Sequence, residues 1–254
     1  MYNNILDVKG LKVGQVEDRN GLTGCTVVIC EEGAVCGVDV RGGGPGTRET
    51  DLLNPINMIQ KVHAVVLSGG SAFGLESTCG VSRYLEENNI GFDVGVAKVP
   101  IVVGAVLFDL GVGNPKSRPN IEMGYRACQV ASDTKLNQGN FGAGCGATVG
   151  KIKGIEYAMK GGIGSHSIKL PNGLVVSALV AVNAFGDVYG EPADGLVAFN
   201  LDSLPDTEGK TVKLKLKWKS FNGEKTAEFD YCTRKSTPAN SAAITAGRSV
   251  LRLK

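Results

Sequence analysis

Three glycine-rich stretches hold the residues whose types and spacing could do chemistry: RGGGPGTRETDLL (41–53), LSGGSAFG (67–74) and GCGATVGKI (144–152). The first suits a phosphate cradle, a packing turn or the lip of a catalytic pocket. The third nearly spells a phosphate-binding P-loop. That motif needs glycine five places before its Gly-Lys pair and a hydroxyl residue after it, as magnesium ligand. Cys145 and Ile152 stand at those positions, so nucleotide binding is not expected. The second stretch resembles a nucleophile elbow, which needs glycine two residues after its serine. Phe73 stands there instead, and Ser71 reads as a helix N-cap, at a helix start that could also receive a substrate carboxylate. The seven cysteines form no CxxC pair, and His63 and His166 lie far apart. No metal site is expected, and the thiols read as small buried hydrophobes.

The elements that position these stretches belong to a chain able to build a large core: 254 residues, 43% hydrophobic, with 27 basic against 25 acidic residues. Such balance gives no electrostatic footprint for nucleic acid or an anionic membrane. The N-terminus MYNNILDVKG lacks the basic and apolar regions of a signal peptide. The longest apolar run, VPIVVGAVLF (99–108), is far short of the ~20 residues that span a bilayer. With scattered free thiols, this leads us to expect a cytoplasmic protein without membrane or nucleic-acid partners. The run is also more apolar than a surface loop should be, which points to a homo-oligomer.

Glycine divides the chain. Of its 36 glycines only four follow residue 190, and the tail carries KLKLKWK (213–219), whose alternation predicts a strand with a lysine-rich face in solvent. We expect two regions, 1–190 and 191–254. In the first, 25–31 and 34–40 read as a hairpin across Glu32-Gly33, 51–60 as a short helix limited by Pro55, and 62–67 as a buried strand. Residues 72–87 read as the best helix, with Leu75, Cys79, Ser82 and Leu85 near one face, and 121–132 as a second helix. Residues 148–152, 164–170 and 174–183 read as strands. Strands gathered in runs between helices favour an α/β fold of layered sheets.

In order, VRGGGPGTRETDLL, VVLSGGSAFGLE, PIVVGAVLFDL, GAGCGATVGK, KGGIGS and VVSALVAVNAFGDV resemble the DmpA/NylC-type aminopeptidases over about residues 5–190. The resemblance implies a four-layer α-β-β-α sandwich, the fold shared with ornithine acetyltransferases. It also implies hydrolysis of amides: N-terminal residues of short peptides, β-peptides and nylon oligomers. The precursor would cut itself before a serine or threonine, whose freed amine then acts as base for its own hydroxyl, so neither histidine nor cofactor is required. Asn183 matches the asparagine that stabilises the oxyanion. Lys151 lies near a catalytic lysine of some members, with Lys153 as rival. The 41–53 stretch, with Gly43 and Gly44, resembles the family's glycine-rich turn near the pocket. Phe108 lies where some members place an aromatic hydroxyl, and it cannot donate.

After residue 190 the resemblance stops. The family's nucleophile follows an asparagine, and Asn240–Ser241 is the only Asn-Ser or Asn-Thr pair in the chain. Ser241 is the candidate nucleophile, yet only fourteen residues run from it to Lys254, too few for the family's catalytic segment. Two readings stand: a self-processing amide hydrolase, or a non-catalytic relative that keeps the scaffold and pocket for binding. Acyl transfer is a third, since the related fold supports it.

Overall fold

In the computed structural model of the chain, the described residues are 2–186 and 188, and beyond them only the strands at 196–197, 212–220, 223–231 and 251–252. The elements are β1 (Leu11–Asp18), β2 (Thr23–Ala34), β3 (Thr47–Arg48), β4 (Val62–Ser68), α1 (Ser77–Glu87), β5 (Phe92–Asp93), β6 (Lys98–Val99), β7 (Val102–Val106), α2 (Ile121–Gln129), β8 (Thr148–Val149), β9 (Met159–Lys160), β10 (Gly162–Lys169), β11 (Val175–Val182), β12 (Leu196–Val197), β13 (Val212–Ser220), β14 (Gly223–Tyr231) and β15 (Leu251–Arg252). The chain divides into two compact units, 1–148 with 161–183, and 149–160 with 184–254.

The first unit is built on a five-stranded sheet ordered β1-β2-β4-β7-β3. Only β4 and β7 run parallel, and parallel neighbours need a long crossover, which contains α1. Strand alternation sends Cys25, Val27, Ile29, Ala64, Val66 and Val102 to the face that α1 and α2 cover, where they meet Val81, Leu85, Ala127 and Cys128. The helices sit close because glycines face backbone. A Cβ on Gly80 would lie 1.9 Å from Ile121 O, on Gly124 1.9 Å from Ser77 O, and on Gly14 1.8 Å from Ala127 O. Asn120 caps α2, its side chain accepting from Met123 N at 3.0 Å. The opposite sheet face packs Val62, Ile101 and Val103 against Leu52, Leu53, Ile59 and Phe92.

The second sheet of the unit is the hairpin β10–β11, paired from Gly162↔Val182 to Lys169↔Val175. Gly139 and Ile163 tie it on by exchanging backbone hydrogen bonds of 2.7 and 2.9 Å, and Ile5 N donates to Ser165 Oγ at 2.8 Å. A helical layer over a five-stranded sheet, with a further hairpin tied on through Gly139 and Ile5, fits the expected α/β class; no second helical layer occurs among the described residues.

In the second unit, Gly150 N donates to Gly186 O at 2.9 Å and Lys151 N to Phe185 O at 2.8 Å. Its β13 and β14 form an antiparallel hairpin from Val212↔Tyr231 to Ser220↔Gly223, so the KLKLKWK stretch is a strand; where its lysines point lies outside the described residues.

Several expectations are corrected. There is no hairpin at Glu32-Gly33. β2 runs through it, with Gly33 at φ +70 and a register shift between Ile29 and Ala34 before the chain re-pairs with Val62. A glycine bulge and a glycine turn look alike in sequence. The 51–60 helix shrinks to a 3-10 turn at Asp51–Leu53, cut short ahead of Pro55. The 72–87 helix is 3-10 over Ser71–Glu76 and α only from Ser77. Its buried residues are Ser77, Thr78, Gly80, Val81 and Leu85, of which only Leu85 was on the expected face. Finally, 99–108 contains β7, an inner strand with Val102 and Val103 buried. Burial in the sheet accounts for Val102 and Val103.

The cysteine reading fits Cys25 and Cys128, which pack in the helical-face core where burial pushes both thiols up to about 12. Among the described residues no group of three His, Cys, Asp or Glu could hold a metal ion. His63 is buried beside β7, its Nδ1 accepting from Ile101 N at 3.2 Å. Burial, aided by Lys61 and Lys98, pushes its pKa down. No described helix is long and apolar enough to cross a membrane.

Candidate functional site

The parallel pair β4 and β7 ends on one side of the sheet, and the segments leaving those two ends bind each other. Leu107 N donates to Ser68 O at 2.8 Å and Ser71 N to Leu107 O at 3.0 Å. Gly70 adopts the left-handed region at φ +80, and Ser71, unusually for a side chain with a Cβ, follows at φ +53. Such backbone costs about 1–3 kcal/mol and persists only where its surroundings fix it. Ser71 is therefore no N-cap: Gly70 holds that place, and no side chain caps the turn.

The fixing group is Asp109, only 3% exposed. Its Oδ1 accepts from Gly70 N at 2.6 Å and its Oδ2 from Thr23 Oγ1 at 2.7 Å. Glycine is required around it by close approach. A Cβ on Gly69 would lie 2.0 Å from Asp109 Oδ2, one on Gly146 2.5 Å from the same atom, and one on Gly74 1.8 Å from Gly69 O.

Asn183 follows β11, and both ends of its amide are held. Oδ1 accepts from Thr148 N at 3.0 Å and Nδ2 donates to Phe108 O at 2.9 Å. These two partners decide which end of the amide is oxygen. The two bonds fix the orientation of the amide nitrogen, which carries two hydrogens. Beside it, the Thr148 hydroxyl is buried and has no hydrogen-bond partner among the described residues. The Phe108 ring is exposed, as is Phe73, over which the Arg118 guanidinium stacks at 3.9 Å from the ring centroid.

The other expected site residues fall as follows. Lys151 belongs to the second unit, and burial pushes its ammonium below the usual lysine range, the direction a general base needs. Gly43 and Gly44 are exposed, with no atom within 4 Å of where a Cβ would stand. Packing among the described residues therefore does not explain them. Ser241 lies outside the described residues. Sequence reasoning missed Asp109, Thr23 and Thr148. The one available signal was the carboxylate closing the apolar run VVGAVLFDL (102–110), because an acid ending a buried strand must find donors.

Comparison with known proteins agrees with the motifs. The profile of peptidase family S58 matches residues 3–201, and that of the NigD-like C-terminal beta sandwich domain matches 180–231. A protein named as an uncharacterized aminopeptidase in Mycobacterium leprae is 45% identical over 209 residues, 76% of this chain and 56% of that protein. The 6-aminohexanoate-oligomer endohydrolase of a Kocuria species is 30% identical over 197 residues, 78% of this chain and 52% of that protein. The chain thus spans about half the length of these relatives.

Among solved structures, a Burkholderia beta-aminopeptidase aligns with TM-score 0.54 at 23% identity, covering 72% of this chain and 52% of its own. The L-aminopeptidase D-Ala-esterase/amidase of Ochrobactrum anthropi, described as a variant of the Ntn hydrolase fold, aligns with TM-score 0.56 at 19% identity, covering 77% and 55%. At such identities the likeness speaks for the fold, and the fold is the layered α/β sandwich that the motifs implied. With six motifs in order, that fold and a profile match from residue 3 to 201, the chain belongs to peptidase family S58.

Proposed function

We propose that residues 1–190 carry the oxyanion and substrate-positioning half of an amide hydrolase centre. It would act on N-terminal residues of short peptides, amino-acid amides or related oligomers, through a serine or threonine at a chain N-terminus. The observation that carries this reading is the two-point grip on the Asn183 amide by Thr148 and Phe108. It aims a donor in advance, and such donors stabilise developing charge without reorganisation. Gly43, Gly44 and Ser71 would border the substrate, and Lys151, its proton held less tightly by burial, would be the catalytic lysine beside the freed amine that acts as base. Names of relatives that include an aminopeptidase and an oligomer endohydrolase support the substrate class.

In the self-processing step Ser241 Oγ attacks the Asn240 carbonyl carbon, the peptide C–N bond breaks, and the serine nitrogen takes a proton. Water then hydrolyses the resulting ester, leaving a free serine amine. The test is a mass spectrum of the purified chain after long incubation, beside release of p-nitroaniline from aminoacyl p-nitroanilides. A fragment beginning at Ser241, absent in Ser241→Ala, together with turnover, establishes the hydrolase.

The second reading is a non-catalytic relative that keeps scaffold and pocket. It is favoured by the family match ending at residue 201 while the β-sandwich profile takes over from 180. On this reading residues 191–254 are an added β segment, the chain stays uncut, and aminoacyl amides bind without turnover. On this reading the mass spectrum shows one uncut 26.5 kDa species.

A further inference from the structure

We infer that Asp109 is the positioning residue of the Asn183 oxyanion donor, acting through the Phe108 carbonyl; the inference rests on the half-site proposed above. Asp109 is adjacent in sequence to Phe108, whose carbonyl oxygen receives the Asn183 Nδ2 proton at 2.9 Å. The direction of that carbonyl is set by the backbone on both sides of it. On one side Leu107 N is bonded to Ser68 O at 2.8 Å. On the other the Asp109 side chain is anchored to Gly70 N and Thr23 Oγ1 at 2.6 and 2.7 Å. At 3% exposure Asp109 has almost no solvent to satisfy it, so its orientation is dictated by these protein donors.

The chemistry explains the choice of residue. Gly70 offers an N–H and can only donate, and Thr23 offers a hydroxyl that can donate or accept. A carboxylate accepts from both. Asparagine in its place keeps the Gly70 bond with its oxygen and donates from its nitrogen to a rotated Thr23 hydroxyl. Leucine keeps the volume and strands both donors. The carboxylate also lies against Gly69 and Gly146, where a Cβ would stand 2.0 and 2.5 Å from Oδ2. Three glycine-rich or apolar motifs therefore converge on one side chain that touches no substrate in the proposed reaction.

The experiment reads the side-chain amide of Asn183 by 15N-edited NMR in the full chain, its signal assigned by its loss in Asn183→Ala. In the wild type we expect two widely separated, slowly exchanging hydrogens. Asp109→Leu and Thr23→Val should move the signal toward a freely rotating amide, and Asp109→Asn should restore most of the wild-type signal. Leu85→Ala, a core change between helix and sheet, should lower stability and leave the signal in place, which separates positioning from general loosening. In parallel, kcat for an aminoacyl p-nitroanilide should fall about a hundredfold in Asp109→Leu with KM within about threefold. An unmoved Asn183 signal in Thr23→Val and in a folded Asp109→Leu overturns the inference, as does an equal shift in Leu85→Ala. If Asp109→Leu does not fold, Thr23→Val against Asp109→Asn decides. A wild type without turnover removes the hydrolase reading and leaves the NMR comparison intact.

Discussion

Gly42–Gly46 and the cluster of Gly69, Gly70, Gly74, Gly142, Gly144 and Gly146 look interchangeable in sequence and are held by different physics. In the cluster a side chain is forbidden by contact or by backbone angle. A Cβ on Gly144 would lie 2.4 Å from Gly139 O, and one on Gly146 2.3 Å from Leu22 O. In the loop, Gly43 and Gly44 have open space around them and no positive φ. Only Gly42, at φ +94, and Gly46, whose Cβ would meet Val106 Cγ2 at 2.3 Å, are constrained. Glycine density alone therefore marks two things, backbone pressed together and backbone left bare. The first belongs to folding, and the second points outward, toward whatever approaches from solvent.

The contrast breaks most readily where helices touch. Gly124→Ala puts a methyl 1.9 Å from Ser77 O, an atom of rigid backbone. Overpacking of this kind typically costs about 1–3 kcal/mol and more where nothing can yield, so we expect a loss of roughly 3 kcal/mol in urea unfolding. A loss below about 1 kcal/mol would mean that α1 and α2 separate easily, and that close approach is not why glycine stands there.

Next in size is the loss of Asn183. Asn183→Ala removes the proposed donor and strands Thr148 N and Phe108 O together. We expect turnover to fall by about a hundredfold, or ~3 kcal/mol, measured as kcat on an aminoacyl p-nitroanilide. Unchanged turnover in a folded variant would detach the packed cluster from the chemistry and leave it a purely structural device.

How far the sequence discloses these features depends on whether the cause is local. The strand at 62–68 and the helix from Ile121 were legible because alternation and a 3.6-residue period are local signals. The continuation of β2 through Gly33 was not, because whether a positive-φ glycine bulges or turns depends on whether a partner strand is there to re-pair. Nor was the late start of α1, since the tight turn at Gly70-Ser71 is fixed by Asp109 and Leu107, some 36–39 positions downstream. The same distinction holds at the site. Asn183 was found through its motif, whereas Asp109 and Thr148 act through donors and acceptors supplied by other motifs.

A smaller test lies inside the packed region. Thr148 Oγ1 is buried without a partner among the described residues, and an unmet buried hydroxyl costs about 1–3 kcal/mol. Thr148→Val replaces it with a methyl of similar shape and keeps the backbone N–H that serves Asn183. Val for Thr is ordinarily a poor exchange because the hydroxyl is bonded; here we expect stability to hold or rise by up to ~1 kcal/mol. A loss of that size in thermal unfolding would show that the hydroxyl is paired in solution, and the cluster would then be as fully satisfied as it is tightly packed.

The smallest expected effect belongs to the bare loop, and it carries the sharpest information. Alanine at Gly43 or Gly44 meets no atom of the described residues within 4 Å and requires no left-handed backbone. Replacing glycine where the native angles suit alanine lowers the entropy of the unfolded chain, a gain of about 0.4–1 kcal/mol. Exposure and loop position should trim that to within roughly 0.5 kcal/mol of wild type. Gly42→Ala, at the residue just before Gly43 and at φ +94, should instead cost about 1 kcal/mol. Stability measured across the three positions therefore tests whether the loop is bare or merely poorly packed: equal losses at all three would erase the contrast with the cluster. Kinetics on the same proteins then assigns the bareness a purpose. A KM raised severalfold in Gly43→Ala at unchanged stability would mean that substrate lies against this backbone, as the proposed pocket requires. Unchanged KM at both Gly43 and Gly44 would remove them from the substrate site.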